Sequence, residues 1–203
     1  MTSFIRKRFL ALVILLVAAA TAGAAGYRLL TTELAPASSG TALVGGPFRL
    51  TSHTGAKVSD ADFRGKFMLV FFGYTYCPDV CPSELQVISA ALDTLGEAGR
   101  DIVPIFVSID PVRDTPEVVA QYIKNFHPRF VGLTGSDAEV AAMAKAYRVY
   151  YGKAEGSGDT DYLMDHSSIV YLMDREGRFL KHFSYSTDAE ALARGLKEAT
   201  AGR

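Results

Sequence analysis

Cys77 and Cys81 are the only cysteines in this chain of 203 residues. An apolar run from Met68 to Phe72 precedes them, and leucine and isoleucine at helical spacing follow them. The pair is therefore predicted to lie where a buried strand passes into the N-terminus of a helix. Free backbone N–H groups and the helix dipole stabilise an anion at such a position. The thiolate form, which attacks disulfides and binds metals, is consequently favoured there.

The spacing of the two thiols limits what they can do. Three residues separate them, one more than in the common Cys-x-x-Cys redox pair. With Cys81 in the first helical turn, both sulfurs can face the same side. They could then close a disulfide or bind one ion, and two thiolates prefer a soft metal such as Cu(I). A purely structural disulfide is disfavoured, because so small a loop removes little entropy from the unfolded chain.

A metal bound by the two thiols needs a further ligand, and the chain contains four histidines. Three of them, His53, His127 and His182, are interpreted as surface or capping residues. His166 differs, because it ends a long loop and precedes a predicted core strand whose end we expect beside the cysteine turn. From the spacing alone, metal ligation and local hydrogen bonding both remain open for this imidazole.

Two acidic residues adjoin these candidate ligands. Asp165 could accept a hydrogen bond from the His166 ring and so orient it. Zinc is the alternative metal, but a structural zinc site uses four protein ligands and this chain offers three good ones. Asp79 or a water would have to be the fourth. The thioether of Met164 is interpreted as packing rather than as a ligand.

Predicted strands and helices alternate along the chain, which indicates an α/β fold with helices covering a mixed sheet. An N-terminal hairpin turns around Gly55, and residues 148–165 form a long loop with a glycine-rich tip. The cysteines fall at the carboxyl end of a central strand, where open α/β sheets place their sites. Apolar runs predict strands at 68–72, 102–109, 130–133, 169–173 and 178–183.

Capping residues mark three of the predicted helix starts. Thr115 is a candidate N-cap, followed by a proline at the first helical position. Ser136 and Glu139 form a capping box ahead of an apolar stripe. Thr187 and Glu190 have the same spacing, so we predict that they open the last helix.

The N-terminal segment, residues 1–26, is predicted to be a membrane anchor or a signal segment. Basic residues precede an uncharged run from Phe9 to Gly26, and roughly 20 apolar residues suffice to cross a bilayer. We favour an uncleaved anchor, with the basic end inside the cytoplasm. Residues 27–46 are predicted to be a flexible tether and residues 47–203 the folded domain. This organisation indicates a bacterial inner-membrane protein whose domain lies in the periplasm.

The formal net charge of −1 argues against a nucleic acid as partner, because such proteins present a strongly basic surface. A single pair of cysteines also cannot build a disulfide scaffold, so the fold must depend on its hydrophobic core.

Three segments of the sequence together resemble the Sco/SenC family of copper proteins. They are Phe71–Pro82, Ser108–Pro116 and Asp165–Ser168, and they occur in the family's order. The resemblance covers roughly residues 47–200. One departure is Val112, where many relatives carry an acidic residue, and this change would affect a partner surface rather than the ligands.

The resemblance implies a thioredoxin-like domain in which Cys77, Cys81 and His166 bind one copper ion, as Cu(I), Cu(II) or both. It implies a metallochaperone that delivers copper to the binuclear CuA centre of cytochrome c oxidase subunit II. Other copper carriers would load the site. Because an exported domain meets oxidising conditions, a thioredoxin-like periplasmic reductant is also expected.

Two enzymatic alternatives accompany the carrier hypothesis. A thiol–disulfide oxidoreductase would keep the oxidase subunit's cysteines reduced, and Cys77 with Cys81 would suffice for that reaction. A peroxidase is disfavoured, because relatives resembling peroxiredoxins carry a Thr-x-x-Cys turn and here Thr75 is one residue too close to Cys77. We therefore expect a carrier with possible thiol redox activity rather than a turnover enzyme.

Overall fold

The computed structural model describes residues 44–155 and 161–202, together with the isolated residues Thr21 and Gly158. The chain divides into two units, residues 1–41 and 42–203, and the elements below all belong to the second. None of the helices in the described ranges is both long enough and apolar enough to cross a membrane. Apart from Thr21, the predicted membrane segment lies outside the described residues, as does most of the predicted tether.

In the described part of the chain, nine strands and four α-helices alternate, with 3₁₀ turns at Asp60–Phe63 and Gly96–Gly99. The strands are β1 Arg49–Ser52, β2 Lys57–Ser59, β3 Phe67–Gly73, β4 Ile102–Ser108, β5 Val131–Thr134, β6 Tyr151–Lys153, β7 Met164–His166, β8 Ile169–Met173 and β9 Phe179–Ser184. The helices are α1 Val80–Leu95, α2 Pro116–Ile123, α3 Asp137–Tyr147 and α4 Ala189–Thr200.

Seven of the strands form one mixed sheet in the order β2-β1-β5-β4-β3-β8-β9. Strands β3, β4 and β5 run parallel, whereas the outer pairs β1–β2 and β8–β9 are antiparallel. The predicted α/β class with a mixed sheet and an N-terminal hairpin is confirmed. The central position of β3 brings the end of that strand, and the cysteines after it, to the middle of the sheet edge.

Strand β3 is apolar along its whole length because it is covered on both faces. All seven of its residues are buried, and β4 and β8 pair with its two edges. Helix α1, which follows the cysteine turn, buries one stripe that includes Cys81, Leu85, Ile88 and Leu92. The same helix packs against α4. Strand and helix thus hold the cysteine turn from both sides.

The predicted helix starts are confirmed at two positions and wrong at a third. Thr115 caps α2, where its side chain accepts a hydrogen bond from the Val118 N–H, and Ser136 with Glu139 forms the capping box of α3. The last helix begins one residue later than predicted. Its N-cap is Asp188, whose carboxylate accepts from the backbone N–H three residues on.

The loop predicted at 148–165 contains structure that the sequence pattern did not indicate. Strands β6 and β7 pair there as an antiparallel hairpin, with Tyr151 opposite His166 and Lys153 opposite Met164. The hairpin is separate from the main sheet. His166 is therefore carried by a strand end and not by a free loop.

Residues 44–46, which the prediction assigned to the tether, already contact the domain. Val44 packs against the core, and the Gly45 N–H donates to the Ala146 carbonyl over 2.9 Å.

Candidate metal centre

Three elements bring Cys77, Cys81 and His166 together. Cys77 lies in the turn after β3, Cys81 lies in the first turn of α1, and His166 ends β7. Their ligand atoms all lie within 4.8 Å of one another, and Cys81 Sγ is 3.4 Å from His166 Nε2. Both cysteines are free thiols. The structure thus places the imidazole beside the sulfurs, which the spacing alone had left open.

A buried carboxylate holds the turn that carries Cys77. Asp114 accepts hydrogen bonds from the Thr75 hydroxyl over 2.6 Å, from the Thr75 N–H over 3.0 Å and from the Ser108 hydroxyl over 2.5 Å. Its side chain is fully buried, and this burial raises the pKa of Asp114 even though the hydrogen bonds oppose the shift. The turn is therefore fixed to the loop that follows β4.

The backbone at Gly73 leaves room for the second sulfur. A Cβ at this position would lie 2.8 Å from Cys81 Sγ and 3.1 Å from Phe106 Cε2. Ordinary carbon contacts are about 3.5–4.0 Å, so a side chain here would compete with the sulfur for space. Glycine at the end of β3 is therefore part of the site.

The two thiols differ in their protonation. The pKa of Cys77 is lowered to about 4, first because the Cys81 thiol donates to its sulfur, and further by His166 and by the backbone N–H groups of Cys81 and Asp79. The Cys81 N–H lies 3.3 Å from Cys77 Sγ. The pKa of Cys81 is raised, because its proton is held between the sulfurs and because it is buried. Without a metal, the pair thus shares a proton that Cys81 holds more strongly than Cys77 does.

Aromatic edges fix the orientation of the imidazole. The His166 ring is edge-on to Phe71 and Tyr74, with centroid distances of 6.0 and 6.1 Å. Its Nδ1 lies 3.4 Å from the Ser167 carbonyl, which leaves Nε2 facing the sulfurs. A ligand nitrogen is commonly oriented in this way through the other ring nitrogen.

Neither Asp165, which was predicted to orient the ring, nor Asp79, the candidate fourth ligand, belongs to the group of ligand atoms. Asp165 is exposed, and strand alternation places its side chain on the opposite face of β7 from His166. The Ser167 carbonyl lies beside His166 Nδ1, where the Asp165 carboxylate was predicted. The Asp79 carboxylate is also exposed and accepts from the Ser83 hydroxyl over 3.4 Å, whereas its backbone N–H contributes to the low pKa of Cys77.

The other three histidines lie apart from this site. His53 Nδ1 accepts from the Gly132 N–H over 3.2 Å, and His127 Nδ1 accepts from the Arg129 N–H over 3.2 Å. Burial lowers the pKa of His127. His182 is exposed on β9.

Sequence reasoning missed a second layer of side chains around the cysteine turn. Arg113 donates to Asp110, and Tyr162 donates its hydroxyl proton to the same carboxylate over 2.7 Å. The Tyr74 hydroxyl accepts from the Met164 N–H over 3.2 Å. Only the Asp110–Arg113 part lies within one motif. The tyrosine contacts join segments that are distant along the chain, and no local sequence pattern predicts them.

The donor set fits a soft ion. Two sulfurs and one imidazole nitrogen form the group, and among the described His, Cys, Asp and Glu residues no fourth member joins it. Structural zinc uses four protein ligands, whereas thiolates with imidazole also suit copper. The chemistry of the group therefore favours copper over structural zinc.

Comparison with known proteins agrees with this geometry. A human protein described as a mitochondrial SCO1 homolog is 47% identical over 146 residues, which cover 71% of this chain and 48% of that protein. Copper-bound ScoI of Arabidopsis thaliana is 44% identical, with a TM-score of 0.73 over 77% of this chain and 97% of that one. Copper-bound ScoI of Bradyrhizobium japonicum is 45% identical, with a TM-score of 0.71 over 77% and 99%.

These likenesses confirm the predicted thioredoxin-like fold. The chain spans about half the length of the human relative. The model of the family described as SCO1/SenC matches residues 36–201, which include the cysteine turn and His166. The chain therefore belongs to the SCO1/SenC family.

Proposed function

We propose that this protein binds one copper ion through Cys77, Cys81 and His166 and delivers it to the CuA centre of cytochrome c oxidase subunit II. The observation that carries the proposal is the convergence of the three ligand atoms within 4.8 Å. Relatives at 44 and 45% identity have been solved with copper bound. Two thiolates and an imidazole are the donors expected for this ion in its Cu(I) form.

The unequal burial of the three ligands determines the side from which an acceptor can reach the copper ion. Cys81 is fully buried, whereas Cys77 and His166 are partly exposed. An acceptor thiolate can therefore approach the ion from the side of Cys77 and His166, while the buried Cys81 still binds the ion. Exchange of ligands one at a time lets the cargo pass without being released into solvent.

The proposed setting follows from the N-terminal segment and from thiol chemistry. We propose a single N-terminal anchor in the bacterial inner membrane, with the domain in the periplasm. Thiols in that compartment tend to oxidise, so a thioredoxin-like reductant would return the pair to the dithiol form. Other copper carriers would then load it.

The direct test is copper transfer between purified proteins. The reduced full-length chain, kept in detergent, is titrated with Cu(I) against a chromophoric Cu(I) chelator and then mixed with the reduced apo CuA domain of subunit II. We expect one equivalent of tightly held copper and its transfer to the acceptor. His166→Ala should weaken binding, and the control His182→Ala, at an exposed position, should not. Binding that is unchanged in His166→Ala would contradict the proposal.

A second candidate, thiol–disulfide exchange, is favoured by the low pKa of Cys77, about 4. The Cys77 thiolate would attack one sulfur of a target disulfide and release the other target sulfur as a thiolate. Cys81, after losing its proton, would then attack Cys77 Sγ and release the second target thiol. The target gains two electrons, and this chain becomes the Cys77–Cys81 disulfide.

The two functions separate experimentally through His166. Only the cysteine sulfurs react in thiol exchange, and His166 lowers the pKa of Cys77 less than Cys81 does. Reduction of the oxidised CuA cysteines without copper should therefore proceed in His166→Ala at close to the wild-type rate. If this exchange is fast while copper transfer fails, the oxidoreductase is the better assignment.

A further inference from the structure

Arg113 contacts both chain segments that supply metal ligands. Its guanidinium carbon lies 3.6 Å from the centroid of the Tyr162 ring and 4.7 Å from that of Tyr76. Tyr76 immediately precedes Cys77, and Tyr162 lies four residues before His166. Cation–π contacts of this kind are attractive, and more strongly so when they are shielded from water. One side chain therefore bridges the cysteine turn and the approach to β7.

A buried carboxylate reinforces this bridge. Asp110 is 3% exposed, and its two oxygens accept from Arg113 Nε and from the Tyr162 hydroxyl. Lys153, in β6, places its Nζ 3.9 Å from the same Tyr162 centroid. Arg113 Nη1 and Nη2 are buried and make no hydrogen bond to described residues. The tyrosine faces and the Asp110 carboxylate are therefore the contacts that hold this guanidinium.

A second contact joins the β6–β7 hairpin to the turn. The Met164 N–H donates to the Tyr74 hydroxyl over 3.2 Å, and Tyr74 also contacts the His166 ring edge-on. A two-stranded hairpin by itself is marginally stable in water. The position of His166 therefore depends on these attachments to the rest of the domain.

We propose that Arg113 is a positioning residue for the metal centre, because it fixes the β6–β7 hairpin onto the cysteine turn and so keeps His166 Nε2 beside the two sulfurs. The inference rests on the proposed copper binding and adds to it a residue that touches no ligand atom of the described site. Without Arg113 both thiols remain, but the imidazole loses one of the attachments that keep it beside them. Loss of a group that orients a ligand lowers metal affinity by about 10–100-fold, and we expect about tenfold for Arg113→Ala.

A double-mutant cycle tests this route of action. Cu(I) affinity is measured by chelator competition for the full-length wild type, Arg113→Ala, His166→Ala and the double variant. If Arg113 acts through the imidazole, Arg113→Ala weakens binding about tenfold in the wild type and has no further effect when His166 is absent. Equal weakening in both backgrounds, or none in either, overturns the inference.

Further variants protect the test against simple misfolding. Tyr162→Phe keeps the ring but removes its hydroxyl bond to Asp110, so it should give a smaller loss of affinity. Arg113→Lys keeps the charge but not the planar group that stacks on tyrosine, so it should resemble Arg113→Ala. The control Arg100→Ala, at an arginine whose side chain is 74% exposed, should bind copper as the wild type does.

X-ray absorption supplies a readout that general destabilisation would not change. The copper-loaded Arg113→Ala protein should retain two sulfur ligands and lose nitrogen scattering. If the nitrogen ligand persists at full strength, Arg113 does not position it. If the wild type itself fails to bind one equivalent of copper, the proposed function falls together with the inference. If the wild type binds and His166→Ala weakens it while Arg113→Ala does not, only the inference falls.

Discussion

Gly73→Ala tests how tightly the fold confines the Cys81 sulfur. The added methyl would lie 2.8 Å from Cys81 Sγ and 3.1 Å from Phe106 Cε2 and from Phe71 Cε1. Relative to an ordinary contact of about 3.5 Å or more, the sulfur must move by roughly 0.7 Å. Because β3 is buried along its whole length and paired on both edges, the strand cannot relax freely.

The expected consequences of this substitution are twofold. Overpacking of a core costs about 1–3 kcal/mol, which for a domain of this size lowers the melting temperature by about 2–4 °C per kcal/mol. Metal sites tolerate ligand shifts of about 0.2 Å, so the displaced sulfur should weaken Cu(I) binding by about tenfold or more. The measurements are thermal unfolding of the apo protein and chelator competition.

Gly132→Ala is the matched control for Gly73→Ala. A Cβ at Gly132, in β5, would lie 2.3 Å from Val119 Cγ1 and 3.3 Å from Ile123 Cδ1, atoms that belong to no metal ligand. It should destabilise the fold and leave the copper affinity of the folded protein unchanged. If both variants lose stability and both keep wild-type affinity, the argument that Gly73 confines the Cys81 sulfur is refuted.

Three further predictions concern stability. Burial raises the pKa of Glu84 from 4.5 to about 7, so its ionisation should lower the free energy of unfolding by about 3 kcal/mol as the pH rises from 4.5 to above 7. Urea titrations should show this fall in the wild type and a flatter profile in Glu84→Gln, and an unchanged slope would contradict it. Asp114→Asn should lower the free energy of unfolding by about 1.5–3 kcal/mol, because the Thr75 turn loses a charged acceptor, and equal stability would refute that role. Asp188→Ala should lower the free energy of unfolding by about 1 kcal/mol, and Thr187→Ala should lower it by almost nothing. The reverse order would support Thr187 as the N-cap, as the sequence predicted.

The strand and helix around the cysteines could be predicted because their patterns are local. The continuous apolar run of β3 indicates a strand buried on both faces, and the spacing of Leu85, Ile88 and Leu92 indicates one buried helix stripe. The position of His166 beside the sulfurs required tertiary structure, because helices α1 to α3 and strands β4, β5 and β6 lie between the cysteine turn and His166 along the chain.

The wrong predictions each have a physical cause. Thr187 with Glu190 has the spacing of a capping box, but Asp188 is an equally good cap and the chain enters the helix there. The β6–β7 hairpin was missed because its short strands show no clear alternation of apolar and polar residues. Asp165 was assigned to the ring because it is adjacent in sequence, yet neighbouring residues of a strand face opposite sides.

The contacts of Arg113 were beyond sequence reasoning for a different reason. Its partners Tyr76 and Tyr162 are far away along the chain. Contacts between a guanidinium and aromatic rings follow no regular sequence spacing. Only the fold brings them together.

X-ray absorption of the copper-loaded protein tests the central claim most directly. The account predicts two sulfur ligands and one imidazole nitrogen at a single Cu(I) ion in the wild type, and sulfur ligands without the imidazole in His166→Ala. The same spectrum in both proteins would contradict it, because the imidazole that lies 3.4 Å from Cys81 Sγ would then not be a ligand.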